Sequence, residues 1–517
     1  MKIKNIAILG FALILSSCTK NFEAINENPN QAPTSDPGYI FNYIIKEGAG
    51  EYGGSGDGAI YSTYNITYVQ RWIMQTAAVW GNSTMPPYTL FDQYRIQNLW
   101  QYFYSDLLLN CRVLEVLTAD DPESINKNHA ATIWKAYNFQ RVTDLWGDVP
   151  YSEALLLVDN FDEAFQKPAY DRQEDIYADL MESLKNAASF DPSKPFFSTD
   201  MIYGGDLVKW TKFANSLRLR MAVRSGDADV VKELVQQDSL ISGNDESASF
   251  SYIASQLWWN PYYSMNIDSK NPSVPELTGT SVPKISELLV RQLQGTGDPR
   301  LAIYAQPLET DGVTIRGVPN LMNSTLKENQ AMGIGVSSTS YIGKYFSENP
   351  TLNTQILSYS EVCFLRAEAA YRGWTTENAA DWFSRGIRAS MEYYQIEDTL
   401  ITAFIDNNPY DGTLEQIITQ KWVSLYLNGW EAFAEYRRTG FPQLKKWELE
   451  LDGIKVKKAQ WVDVPRSYLP GRLPYPDDEK DLNGAKYQEA VDRQGGDSYY
   501  QQVWWSRQFG EIDYSAR

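Results

Sequence analysis

Residues 358–374 read SYSEVCFLRAEAAYRGW, and this order predicts one half of a helix hairpin. Ser358 and Glu361 stand at capping-box spacing, so each side chain can serve the other's backbone donor. The apolar run from Phe364 to Tyr371 follows, and Gly373 offers the left-handed stop that ends a helix. A second helix then carries Ala379, Phe383 and Gly386, with Ala367 facing it from the first. Small residues at those offsets let two antiparallel helices approach closely while one aromatic fills the gap.

This is the packing logic of a tetratricopeptide repeat in degenerate form. A further pair is expected over 413–438. Towards the N-terminus, Leu99, Phe103, Leu107, Cys111, Leu114 and Leu117 recur at spacings of three and four. Residues 128–146, 172–188 and 206–223 give three more helices, the last with Trp210, Phe213, Leu217 and Met221 on one face and Gly226 as its stop. The fold expected is mainly α: a single domain of about four tetratricopeptide-like helix hairpins. Long irregular segments interrupt it over 242–281, 306–357 and 443–517, with strand signals sparse and at most short hairpins. Cys111 and Cys363 fall inside helical apolar patterns and read as small buried hydrophobes rather than nucleophiles.

Among 517 residues there is a single histidine, His129, so a multi-His metal site is excluded and any His-based dyad must use that one ring. It lies at a helix start, where it reads as solvated or capping. The net charge of −19 opposes a nucleic-acid footprint. Residues 1–17 form a signal peptide: Lys2 and Lys4, then an apolar run from Ile6 to Leu15 too short to span a bilayer. Leu15-Ser16-Ser17-Cys18 resembles a bacterial lipobox, which makes Cys18 the lipid anchor and residues 18–38 a polar, Pro/Asn-rich tether to a body over 39–517.

Aromatics make up 14% of the chain. A ring placed in a loop rather than on a core stripe, with amides beside it, is free to meet a ligand that has apolar faces and polar edges. Two segments qualify. WGNSTMPPYTLFDQY offers Trp80, Asn82, Tyr88 and Asp92; SQLWWNPYYSMNID offers Trp258, Trp259, Asn260, Tyr262, Tyr263 and Asn266. In a strand, only one of Trp258 and Trp259 would face a ligand. Asp477-Asp478-Glu479 lacks calcium-loop spacing; a surface calcium ion is left open and no cofactor is expected. No catalytic residues are assigned.

Several blocks then carry a resemblance: CTKNFEAINENPN at 18–30, RVTDLWGDVPYSEAL at 141–155, IYGGDLVKWTKFANSLRLRMAVR at 202–224, GDPRL at 297–301, QKWVSLYLNGWEAFAEYRRTGFP at 420–442, VPRSYLPGRLPYPDDE at 464–479 and VWWS at 503–506. In this order behind a lipobox they resemble the SusD/RagB family of nutrient-binding outer-membrane lipoproteins, in its SusD-like branch. The resemblance implies a cell-surface lipoprotein that is not an enzyme. It would capture an oligosaccharide, or in some relatives a peptide, and pass it to a SusC-type TonB-dependent transporter, touching the membrane through its lipid only. The blocks themselves read as structural: Asp144 or Asp148 bonding turn amides beside Gly147, Arg437 and Arg438 pairing with carboxylates in the repeat stack, Trp504 and Trp505 plugging the body. A secreted glycoside hydrolase and a helical-repeat adaptor for protein partners alone are the alternatives.

Overall fold

The computed structural model describes residues 36–49, 64–77, 79, 90–158, 167–255, 259–264, 283–320 and 326–515. The longer helices are α1 (Pro37–Gly48), α2 (Gln93–Gln101), α3 (Leu109–Ala119), α4 (Ile125–Trp146), α5 (Gln173–Ala187), α6 (Leu207–Ser225), α7 (Ala228–Gln237), α8 (Glu287–Thr296), α9 (Tyr359–Tyr371), α10 (Ala379–Tyr393), α11 (Asp398–Asn407), α12 (Leu414–Ser424), α13 (Gly429–Thr439) and α14 (Gly484–Gln494). Four hairpins, α3–α4, α5–α6, α9–α10 and α12–α13, carry the scaffold, and α9 packs on both α6 and α12 to join them. The described strands form four two-stranded antiparallel ribbons: β1 (Thr76–Ala77) with β5 (Lys284–Ile285), β2 (Val149–Pro150) with β3 (Tyr170–Asp171), β4 (Ala248–Phe250) with β6 (Thr354–Leu357), and β7 (Lys445–Asp452) with β8 (Lys455–Asp463).

The α9–α10 hairpin closes as its sequence predicts. A Cβ on Gly386 would lie 2.8 Å from the Phe364 ring, so the missing side chain is the space that Phe364 fills. Gly373 ends α9 at φ +73°. The capping box, however, is only half made. Glu361 N donates to Ser358 Oγ at 3.1 Å, while the Glu361 carboxylate turns inward and takes Arg220 Nε and Nη2 at 2.7 and 2.8 Å. A buried guanidinium is a stronger partner than one backbone amide.

The stripe before residue 117 also needs one correction. Leu99, Phe103, Leu107, Cys111 and Leu114 are fully buried, but Leu117 is exposed and Thr118 takes the inward position. Residues 102–108 form a π-helical turn between α2 and α3. Trp210, Phe213, Leu217 and Met221 are all buried, and Gly226 ends α6 at φ +77°.

Residues 443–517 are far from irregular. β7 and β8 pair across Trp447↔Trp461 and Leu449↔Ala459, placing an apolar face on Ala77, Val318 and Ile334. Gly453, φ +64°, takes the first position of the two-residue turn, where such hairpins favour glycine. α14 follows. Cys111 and Cys363 are free and buried; burial pushes the Cys363 thiol up to about 12, so neither is an accessible nucleophile. No described helix is long and apolar enough to cross a membrane.

Beneath the hairpins lies a buried ion network. Arg224 takes Asp144 Oδ2 at 2.5 Å and also binds Glu431. Lys421 Nζ lies 3.3 Å from Glu435, and Arg438 is shared between Glu368 at 2.5 Å and Glu435 at 2.7 Å. Tyr177 Oη and Trp505 Nε1 both donate to Asp144. Asp144 is thus an anion of the core rather than a turn stabiliser. Arg437 donates to the Asp144 and Gly471 carbonyls instead of to carboxylates, and Trp505 is buried while Trp504 is half-exposed.

Burial by itself would raise the Glu435 carboxyl; Arg438, Lys421 and Arg224 outweigh it and hold it well below the usual range. Glu431 is held down in the same way by Arg224, Arg220 and Lys421. Carboxyls depressed in the folded state stabilise it fully above the unfolded value of about 4.3 and lose that contribution as pH falls towards their folded values. Chemical denaturation across pH should therefore show stability dropping steeply below about pH 4.3. At pH 7, Glu435→Gln should cost about 3–5 kcal/mol, and its deficit against wild type should shrink on acidification.

Candidate functional site

A cavity of about 80 Å³ opens where three elements converge: the turn 260–262, the strand β6, and the link between α12 and α13. Tyr345, Tyr393, Tyr394, Tyr426 and Trp430 supply aromatic walls, and Asn353, Gln355 and Asn428 supply amides. Burial raises the phenols of Tyr345, Tyr393, Tyr394 and Tyr426, so they stay neutral at physiological pH and are able to donate hydrogen bonds. The side-chain amide of Asn428 makes no hydrogen bond and also borders a second cavity of about 30 Å³ beside Arg220 and Glu431.

The link α12–α13 adopts this shape through Leu427, which holds φ +71°. A branched side chain in the left-handed region is strained and persists only where neighbours fix it. Here the Leu427 carbonyl accepts from Asn65 Nδ2 at 3.1 Å and from Tyr262 Oη at 3.2 Å.

Of the sequence candidates, Trp80, Asn82, Tyr88, Trp258 and Asn266 lie outside the described residues, as does Cys18. Asp92 caps α2, accepting Arg95 N at 2.9 Å. Residues 261–264 form a helical turn rather than a strand, so the alternation expected of Trp258 and Trp259 does not carry on past Asn260. Trp259 and Tyr263 are half-buried and meet edge to face, centroids 5.0 Å apart at 84°. The ring that contributes its edge keeps both faces free of the other, the arrangement a sugar C–H face needs.

Asn260 is a pin rather than a contact. It is buried, its N donates to Pro350 O at 2.8 Å, its Nδ2 to Leu352 O at 2.8 Å, and its Oδ1 accepts Tyr262 N at 2.9 Å. Tyr262 turns inward on the cavity wall, bonded to Gln70 as well as Leu427. Among the described residues lining the cavity, Glu361 is the one carboxylate, and Arg220 holds it.

Elsewhere, His129 is half-buried with its ring edge to face on Phe190, 5.7 Å away, so it is packed rather than solvated. Lys480 pairs with Asp477 and Tyr170 Oη donates to Glu479, while no group of three potential metal ligands occurs among the described residues.

A family model described as starch-binding, associating with the outer membrane, matches residues 29–461. The chain belongs to this SusD-like family. No curated protein gives a significant sequence match. Among solved structures, a chitin-binding protein aligns at 26% identity and TM-score 0.74, covering 91% of this chain and 100% of its own. A chitin-binding SusD homolog from Flavobacterium johnsoniae aligns at 22% identity and TM-score 0.69 over 91% and 98%, and a Bacteroidetes SusD-like protein at 24% and 0.70 over 91% and 99%. These last two are alike in fold.

Residues that the sequence pattern missed in this SusD-like chain, Tyr345, Gln355, Tyr393 and Asn428, come from four separate elements. Only the Asn428-Gly429 helix break marked one of them as a loop position. Asn260→Ala should leave the helical scaffold intact while freeing the turn 259–264. Hydrogen–deuterium exchange should speed up at the Tyr262 and Ser264 amides, and the two lost side-chain bonds should cost about 1–3 kcal/mol.

Proposed function

We propose that this SusD-like protein binds an oligosaccharide at the rim formed by Trp259 and Tyr263, above the aromatic-lined cavity, and passes it to a SusC-type TonB-dependent transporter. The observation that carries the reading is the joint one: a half-buried aromatic pair on the turn whose residues 260–262 wall an aromatic-lined cavity, in a chain whose family is described as starch-binding and outer-membrane-associated. The chitin-binding relative makes N-acetylglucosamine oligomers the first ligands to test.

The protein acts without a cofactor and without cleaving its ligand. Hydrolysis of a glycosidic bond wants two acids about 5–10 Å apart across the bond. The carboxylate among the described cavity-lining residues is already committed to a guanidinium. In this reading residues 1–17 are removed as a signal peptide, Cys18 carries the lipid, and residues 18–38 tether the body at the cell surface. The aromatics Trp80, Tyr88 and Trp258, with Asn82, extend the same glycan surface.

Calorimetric titration with chitohexaose should give saturable binding with the ligand recovered uncleaved. Trp259→Ala should weaken it about tenfold, in line with the roughly 1–3 kcal/mol that one stacked ring contributes to a ligand. Shortened products, or binding indifferent to Trp259→Ala and Tyr263→Ala, would overturn the reading. In cells, Cys18→Ser should move the protein from the membrane fraction to the soluble fraction.

A further inference from the structure

A third cavity, of about 190 Å³, is built by the start of α5, the end of α14 and the C-terminal segment, with Arg172, Gln173, Glu174, Trp504 and Arg507 on its walls. It shares no lining residue with the first cavity. Its inner charges are already matched. Asp148 accepts Gln173 N at 3.0 Å and Arg493 Nε at 2.8 Å, and Arg493 also donates to Tyr170 O at 2.8 Å.

The outer groups are unmatched. Arg172 is exposed and, among the described residues, has neither an ion pair nor a hydrogen bond to its side chain, while Arg507 bonds a carbonyl, Gln494 O at 3.0 Å. Glu174 is likewise exposed and unpaired. Gln173 is 1% exposed and its Nε2 donates to Thr143 O at 2.7 Å, so it belongs to the inner wall rather than to the outer groups. Trp504 meets Tyr177 at 64° and is half-exposed at the mouth.

From these groups we infer that this cavity is a binding site for the terminal ring of an acidic sugar, a hexuronic acid. Arg172 and Arg507 take the carboxylate, since guanidinium matches its two oxygens. The Glu174 carboxylate accepts a hydroxyl, and the Trp504 ring meets a C–H face. A neutral sugar leaves both arginines unanswered, and a bare carboxylate leaves Glu174 and the ring unanswered. On a chain of net charge −19, Arg172 and Arg507 outweigh the Glu174 carboxylate by one charge beside a helix N-terminus, which leaves a local positive excess for such a ligand.

The test is calorimetric titration of the full-length chain with digalacturonate, galactobiose and acetate. Digalacturonate should bind saturably, at least tenfold more tightly than galactobiose or acetate. Arg172→Ala should weaken it at least tenfold with an unchanged circular dichroism spectrum, because this side chain holds nothing in the fold. Saturating chitohexaose should leave digalacturonate binding in place. No saturable binding, equal affinity for acetate, or equal affinity in Arg172→Ala would overturn the site. Failure of chitohexaose alone to bind would count against the first cavity and leave this one standing.

Discussion

The structure depends on the charges buried between its helices. Asp144 on α4, Arg220 and Arg224 on α6, Glu361 and Glu368 on α9, Lys421 on α12, and Glu431, Glu435 and Arg438 on α13 form one connected set. Apolar helix faces tolerate sliding, because one methyl contact resembles another. Buried ions do not: shifting a helix by one turn leaves a charge without its partner, at about 3–5 kcal/mol each. The network therefore fixes the register of five helices, and with it the path of every loop that leaves them.

It also places the first cavity. Glu361 lines that cavity while bonding Arg220, and Arg220 and Glu431 line the smaller one beside it. The tightly paired interior thus runs directly into a hollow with unbonded amides and neutral phenols. Leu427, strained and doubly anchored, joins the two: it follows directly on the α12 and precedes the α13 that supply network residues, and its carbonyl holds Tyr262 and so the turn bearing Trp259 and Tyr263.

Much of this was legible beforehand. The Ala367, Phe383 and Gly386 spacing gave a close hairpin because the space for Phe364 is a local property of two adjacent segments. The split of the aromatics was only partly legible. Trp210 and Phe213 announced burial by their helical period, but Asn260 looked like a ligand contact and is a pin, since its partners at Pro350 and Leu352 are some ninety residues away. The β7–β8 hairpin was underestimated. Its alternation is short, one face is charged, and its apolar face has meaning only against Ala77, Val318 and Ile334.

The sequence by itself determined the helical class, the repeat hairpins, the export signal expectation and the family, because each rests on residues close together in the chain or on blocks in a fixed order. Tertiary structure alone decided which carboxylates are structural. Glu361 at a capping position could have closed its own helix, and Asp144 beside a glycine could have closed its own turn. Both instead serve guanidinium groups far away in sequence, because a charge taken out of water needs an opposite charge, and only the folded chain brings one within reach.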